Sequence, residues 1–260
     1  MLNRHGVSTF AFLLLLAMPA MAADSMLVVD RGLPQNNLND SSGTARSNVR
    51  WGWHDHGFLG DDFTVGNAGE RWVIDSIRTW VVPGHAEITA ARLGDFYQDV
   101  RLYLGIGATD LTPAATAALA EGSDDTASQN VVVSEATQNG TLLYEDFGTM
   151  LRIWQIDFKN LSIPVRGGSK TRFGVWGMGR AVAGSDGKTY TWFNHASNAG
   201  MSGARQDGAD GVMLEFDAAG RFEGTLNGEG NGWNKPSDIN VQVFAHRVGA
   251  PPSGAAKVEK

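Results

Sequence analysis

The stretch Val100-Arg101-Leu102-Tyr103-Leu104-Gly105-Ile106 alternates Val, Leu, Leu and Ile with Arg, Tyr and Gly. That is the period of a strand with one buried face. Two later stretches repeat it. Val212, Leu214 and Phe216 stand against Met213, Glu215 and Asp217, and Ile239, Val241, Val243 and Ala245 against Asn240, Gln242, Phe244 and His246. Further strands are expected at 26–29, 49–54, 62–65, 131–134, 142–144, 152–158, 172–176 and 190–195. The run 71–82 is ambiguous in period, because Val73, Ile74, Ile77, Trp80 and Val81 fit a helical stripe while Trp72, Ile74, Trp80 and Val82 share strand parity. Its Val, Ile and Trp content, with no Ala, Leu or Lys, decides for a strand with a bulge near Ser76.

One short helix is expected over 113–121, with Thr112 as N-cap, Pro113 in the first turn, an alanine-rich body and Gly122 as terminator. The strands are separated by Gly, Asn, Asp and Ser clusters, and no helices recur between them to make parallel crossovers. The fold class expected is therefore all-β, a single antiparallel β-sandwich or jelly-roll-like domain over 23–248, decorated by that helix. Residues 249–260 have no periodic face and read as a disordered tail.

At 260 residues and 42% hydrophobic, the chain can bury a sizeable core. Its net charge of −7 repels a phosphate backbone, so nucleic acid is not an expected partner. Cysteine is absent, which removes disulfides, thiol nucleophiles and thiolate metal sites together. Residues 1–22 carry Arg4 and His5, an apolar stretch over 10–18 and then Ala20-Met21-Ala22, the pattern of a secretory signal peptide, and a mature start at Ala23 is expected. No later run approaches the ~20 apolar residues of a membrane-spanning helix. The expectation is an exported protein, secreted or periplasmic.

The order Asp30-Arg31-Gly32-Leu33-Pro34, a polar loop, Gly60-Asp61-Asp62-Phe63-Thr64-Val65 and the strand 72–82 resembles secreted bacterial β-sandwich domains of PEP-CTERM-type exported proteins. The likeness covers about residues 30–82, with a weaker echo at 154–176. It implies an extracellular jelly-roll-like domain and carries over no catalytic residue. This sequence ends without the Pro-Glu-Pro, hydrophobic span and basic cluster of that pattern, so surface anchoring is not implied.

Several constellations could carry chemistry. His54 and His56 would share one face of a strand and could offer two imidazoles to a transition metal, with a third ligand from His85, His195, His246 or a carboxylate. Asp61 with Asp62, and Asp207 with Asp210, are oxygen-rich turns suited to calcium, as is Asp124-Asp125; none has EF-hand spacing, and turn capping explains each as well. No cofactor is required by any motif, and structural calcium is the one expected from the acidic loops. Eight tryptophans invite a carbohydrate reading, since indole faces stack on sugar rings. The clusters Trp192, Asn194, His195 and Asn231, Trp233, Asn234 are the best for that, while Trp72, Trp80, Trp154 and Trp176 belong to strands and are expected in the core. Catalytic carboxylate pairs are sought at Glu145-Asp146 and at Glu215 with Asp217, but alternation places the latter on a polar outer face. GxSxG, HExxH and P-loop motifs are absent. The expected function is a non-catalytic exported binding or surface-associated module for a glycan or extracellular polymer. The alternatives are a polysaccharide-active hydrolase or lyase and a structural envelope or matrix protein.

Overall fold

The computed structural model describes residues 24–34, 49–50, 57–84, 92–137, 143–146, 149–200, 203–226 and 236–249. In chain order the strands are β1 Met26–Asp30, β2 Val49–Arg50, β3 Gly57–Thr64, β4 Arg71–Gly84, β5 Asp99–Ile106 and β6 Thr112–Ala118. They continue with β7 Val131–Glu135, β8 Leu143–Asp146, β9 Thr149–Arg152, β10 Trp154–Phe158, β11 Ile163–Arg166 and β12 Lys170–Trp176. The last six are β13 Thr191–Asn194, β14 Ala196–Ser197, β15 Met213–Asp217, β16 Phe222–Leu226, β17 Asp238–Ile239 and β18 Val241–Arg247.

Two antiparallel sheets make an all-β sandwich. One has eight strands along the path β1-β18-β4-β10-β7, with β11 and β13 on β4 and β2 on β13; the other has six in the order β16-β15-β3-β12-β5-β6. Their inner faces meet in one core. Ile77, Ile156, Phe158, Val241 and Val243 come from the first sheet, and Leu59, Phe63, Phe173, Val175, Val100 and Leu102 from the second. Alternation along β5, β12 and β18 sends every second apolar side chain inward, which is what aligned sheet packing needs. Strand β4 spans the first sheet and carries the expected bulge: Ser76 pairs with Phe244 and Ile74 with Ala245, leaving Asp75 as the extra residue.

Each sheet also has a partly covered outer face. On the six-stranded sheet Phe58, Tyr103, Leu214 and Phe216 form a second apolar cluster with Leu111. Rings lie flat there because Gly60 and Gly174 leave room for them. A Cβ at Gly174 would run into the Phe58 ring, and one at Gly60 would come within 2.7 Å of the Phe216 ring. Leu111 N–H donates to Gly220 O at 2.7 Å, which draws the β5–β6 and β15–β16 connections together.

Three expectations are corrected. Residues 113–121 are not helical: β6 pairs with β5 along its length, and the one helical element among the described residues is the 3-10 turn Leu93–Asp95. The pairing satisfies the backbone of an alanine-rich segment and drops Ala117 into the core, and β6 lies at a sheet edge, where Pro113 is tolerated without an N–H. In β15 the parity is reversed, with Met213 in the main core while Leu214 and Phe216 fill the outer cluster, because this strand is covered on both faces. The run 152–158 breaks at Ile153, giving β9 to a hairpin with β8 and β10 to the large sheet. No described helix is long and apolar enough to cross a membrane.

Candidate functional site

The residues singled out from the sequence fall into three places. Asn231, Trp233, Asn234, His54 and His56 lie outside the described residues. Trp192, Asn194 and His195 are buried rather than displayed. Trp192 Nε1 donates to Asn194 Oδ1 at 3.0 Å, its ring meets Tyr97 edge-on at 4.7 Å, and His195 Nδ1 faces Asn240 Nδ2 at 3.4 Å. A polysaccharide approaching from solvent does not reach this trio, so the expected stacking surface there is corrected to an interior cluster. Conversely Trp176, expected in the core, is half-exposed on the outer face of β12, between the Phe58 ring at 6.0 Å and the Arg101 guanidinium at 5.1 Å.

The acidic turns converge on cations that the chain itself supplies. Asp62 pairs with Lys170 at 2.8 Å and Asp207 with Arg205 at 2.8 Å, while Asp210 Oδ1 accepts the Val212 N–H at 3.0 Å. Asp124 holds the 3-10 turn, accepting from Leu93 N–H and Trp154 Nε1. Asp61 is fully buried beside Arg31, whose Nη1 donates to Asp61 Oδ2 at 2.7 Å and to Ile239 O at 3.1 Å. Arg31 Nη2 donates to Asp62 O, and Asp238 Oδ1 stands 3.9 Å from Nη1. Burial pushes the Asp61 carboxyl well above the usual carboxylate range against the pull of Arg31. Burial opposes the charge on Arg31, but Asp61, Asp238 and Asp207 hold it firmly protonated. Among the described residues no group of three or more His, Asp or Glu is arranged to hold a metal ion.

The outer face of the eight-stranded sheet offers a different arrangement. Cross-strand register places Asp30 of β1, Gln242 of β18, Arg78 of β4, Asp157 of β10 and Val132 of β7 in one row. Adjacent members are ~4.8 Å apart because that is the spacing of strands in a sheet. Gln242 Nε2 donates to Asp30 Oδ1 at 3.1 Å, Arg78 Nε to Asp157 Oδ1 at 2.6 Å and Gln155 Nε2 to Asp157 Oδ2 at 2.9 Å. Half-exposed Phe244 lies beside the row, its ring 5.6 Å from the Arg78 guanidinium, with Leu27 exposed opposite it on β1. On the same sheet His246 Nδ1 meets the Asp75 carboxylate at 2.9 Å, with both side chains about a quarter exposed. The row is a strip of planar amide, carboxylate and guanidinium groups beside apolar surface, the two kinds of group that bind sugar hydroxyls and sugar ring faces.

The sequence displayed part of this strip. Gln242, Phe244 and His246 stood out as the outward parity of β18, but Arg78 and Asp157 have no local signal. They join the row only through the β4 and β10 registers. No family of known proteins, no characterised protein and no solved structure matches the chain.

Proposed function

We propose that this chain is an exported β-sandwich module that binds a glycan, or another extracellular polymer rich in hydroxyl groups, across the outer face of its eight-stranded sheet. The observation that carries the reading is the row Asp30, Gln242, Arg78, Asp157, with Phe244 beside it. Its strand-to-strand repeat is close to the length of one pyranose ring, so successive polar groups can meet successive hydroxyls of an extended chain. The signal-like residues 1–22 and the resemblance to exported sandwiches support an extracellular setting. The reading requires no cofactor; calcium at the acidic turns would be structural.

One observation favours a second reading. The Asp75 carboxylate orients His246, and a polysaccharide hydrolase or lyase would use an imidazole held in place this way for proton transfer. The test is a glycan array on the mature protein, with and without calcium, followed by reducing-sugar and unsaturated-product assays on every hit. Binding without product release supports the module. Release that His246→Ala abolishes supports the enzyme.

A further inference from the structure

We infer that Arg31 is a positioning residue: it fastens the N-terminal strand to the sandwich and so sets Asp30 at the end of the ligand row. The part concerning Asp30 rests on the function proposed above. Strand β1 has little else to hold it. Among the described residues it lies at a sheet edge and pairs only with β18, and it exposes Met26 by 52% and Leu27 by 42%, leaving Val29 as its one fully buried side chain. The next residue, Arg31, sends its side chain wholly into the domain.

The pocket that receives it is built without it. Asp238 accepts from the backbone N–H groups of Gly200 at 2.9 Å, Asp210 at 2.9 Å and Gly211 at 3.0 Å. Asp61 accepts from Ile239 N–H and Asp62 N–H, both at 2.6 Å. Those five donors belong to β3, to β17 and to the segments leading into β15, none to β1. The carboxylates are therefore aimed by main chain that stays in place when the guanidinium is gone. Together with Asp62 O and Ile239 O they make a cradle of oxygens facing in more than one direction. A planar guanidinium with separate Nη1 and Nη2 donors fits such a cradle, whereas a lysine ammonium is a point charge on one axis.

The coupling to Asp30 is short. Arg31 is locked at its main chain as well, with its N–H donating to Val241 O at 3.1 Å and its carbonyl accepting from Ser197 Oγ at 3.1 Å. The chain then turns at Gly32, with φ of 90°, and the Gly32 N–H donates to Asp30 Oδ1 at 2.9 Å. That same oxygen accepts from Gln242, so the turn anchored by Arg31 aims the Asp30 carboxylate into the row.

The experiment is amide hydrogen exchange on the full mature protein, read at 27–31 and separately at β5 and β12, for wild type, Arg31→Lys and Arg31→Ala, with and without millimolar methylguanidinium. Binding of the best array glycan is measured on the same samples and on Asp30→Ala. Arg31→Ala is expected to speed exchange at 27–31 by about tenfold or more and to leave β5 and β12, whose exchange rises only with the fall in overall stability, the better protected, as for local opening of one element. Methylguanidinium should restore part of that protection, and glycan affinity should fall to the level of Asp30→Ala. Arg31→Lys, which keeps the charge and covers the case in which Arg31→Ala does not fold, should show the same change to a smaller degree. Unchanged exchange at 27–31 in both variants overturns the clamp. Faster exchange with undiminished affinity overturns the positioning of Asp30. A wild type that binds no glycan overturns the ligand row alone, and the exchange arm still decides the clamp.

Discussion

Glu70 ties the β3–β4 turn to β4 and β18 through one carboxylate: Oε2 accepts from Asn67 N–H at 2.9 Å and from Trp72 Nε1 at 3.0 Å, and Oε1 lies 3.3 Å from Arg247. The Asn67 amide, followed by Trp72, holds this carboxyl below the ordinary glutamate range. A carboxyl depressed in the folded chain contributes stability that is present above the unfolded-state pKa and lost as pH falls through the folded one. Urea unfolding of wild type and Glu70→Gln at several pH values should show a gap between them that closes as the solution is acidified; a gap that widens toward acid would contradict this. Arg31 is the other extreme, a fully buried charge. Arg31→Met leaves Asp61 and Asp238 without their guanidinium, and loss of one partner of a buried pair costs about 3–5 kcal/mol. A urea midpoint unchanged from wild type would deny the pair its structural weight. The role of Arg31 was not legible at this scale, because Arg31 and Asp61 are 30 residues apart and only the fold brings them together.

At the scale of elements, period and composition read well where one face is buried and poorly where local preference and tertiary pairing disagree. Strand β18 follows its alternation and β5 does so from Val100 to Leu104, after which Ile106 is exposed, while Tyr103 on the other face is buried in the outer cluster; the bulge in β4 falls at Asp75, beside the position its pattern indicated. Strand β6 is the failure. Thr112, Pro113 and the alanines have the local chemistry of a helix start and body, yet the unpaired edge of β5 offers this segment a ladder and a place for Ala117 in the core. The two structures respond oppositely to a β-branched side chain at exposed Ala118. In a strand, Ala118→Val should raise stability by a few tenths of a kcal/mol, within a propensity range of about 1 kcal/mol. In a helix the same change would lower it by about 0.6 kcal/mol. A lower melting temperature for this variant would return the segment to the helix.

For the whole molecule, the sandwich was legible from alternation and turn spacing, but the use of its outer faces was not. Tryptophan content pointed to aromatic stacking at Trp192, which the structure buries, while the polar row across the eight-stranded sheet is assembled from β1, β18, β4 and β10, which are far apart in sequence. A single sequence displays each residue's parity and not its neighbours across the ladder. Both sheets bury part of their outer face, the six-stranded one under the 107–111 connection and the eight-stranded one around Trp80, Val82, Ala136 and Ile153, and beside the latter Asp30 and Arg78 remain open to solvent while Gln242 and Asp157 of the same strip are buried. Arg78 is the centre of that strip and is 30% exposed in its side chain, while its partner Asp157 is 11% exposed and keeps the Gln155 amide as a second donor when the guanidinium is removed. The most direct measurement is therefore glycan binding by wild type and Arg78→Ala, each with its melting temperature. The account predicts that wild type binds a polysaccharide and that Arg78→Ala, shown by its melting transition to be folded, loses most of that binding. Undiminished binding by Arg78→Ala, folded and stable, would contradict it.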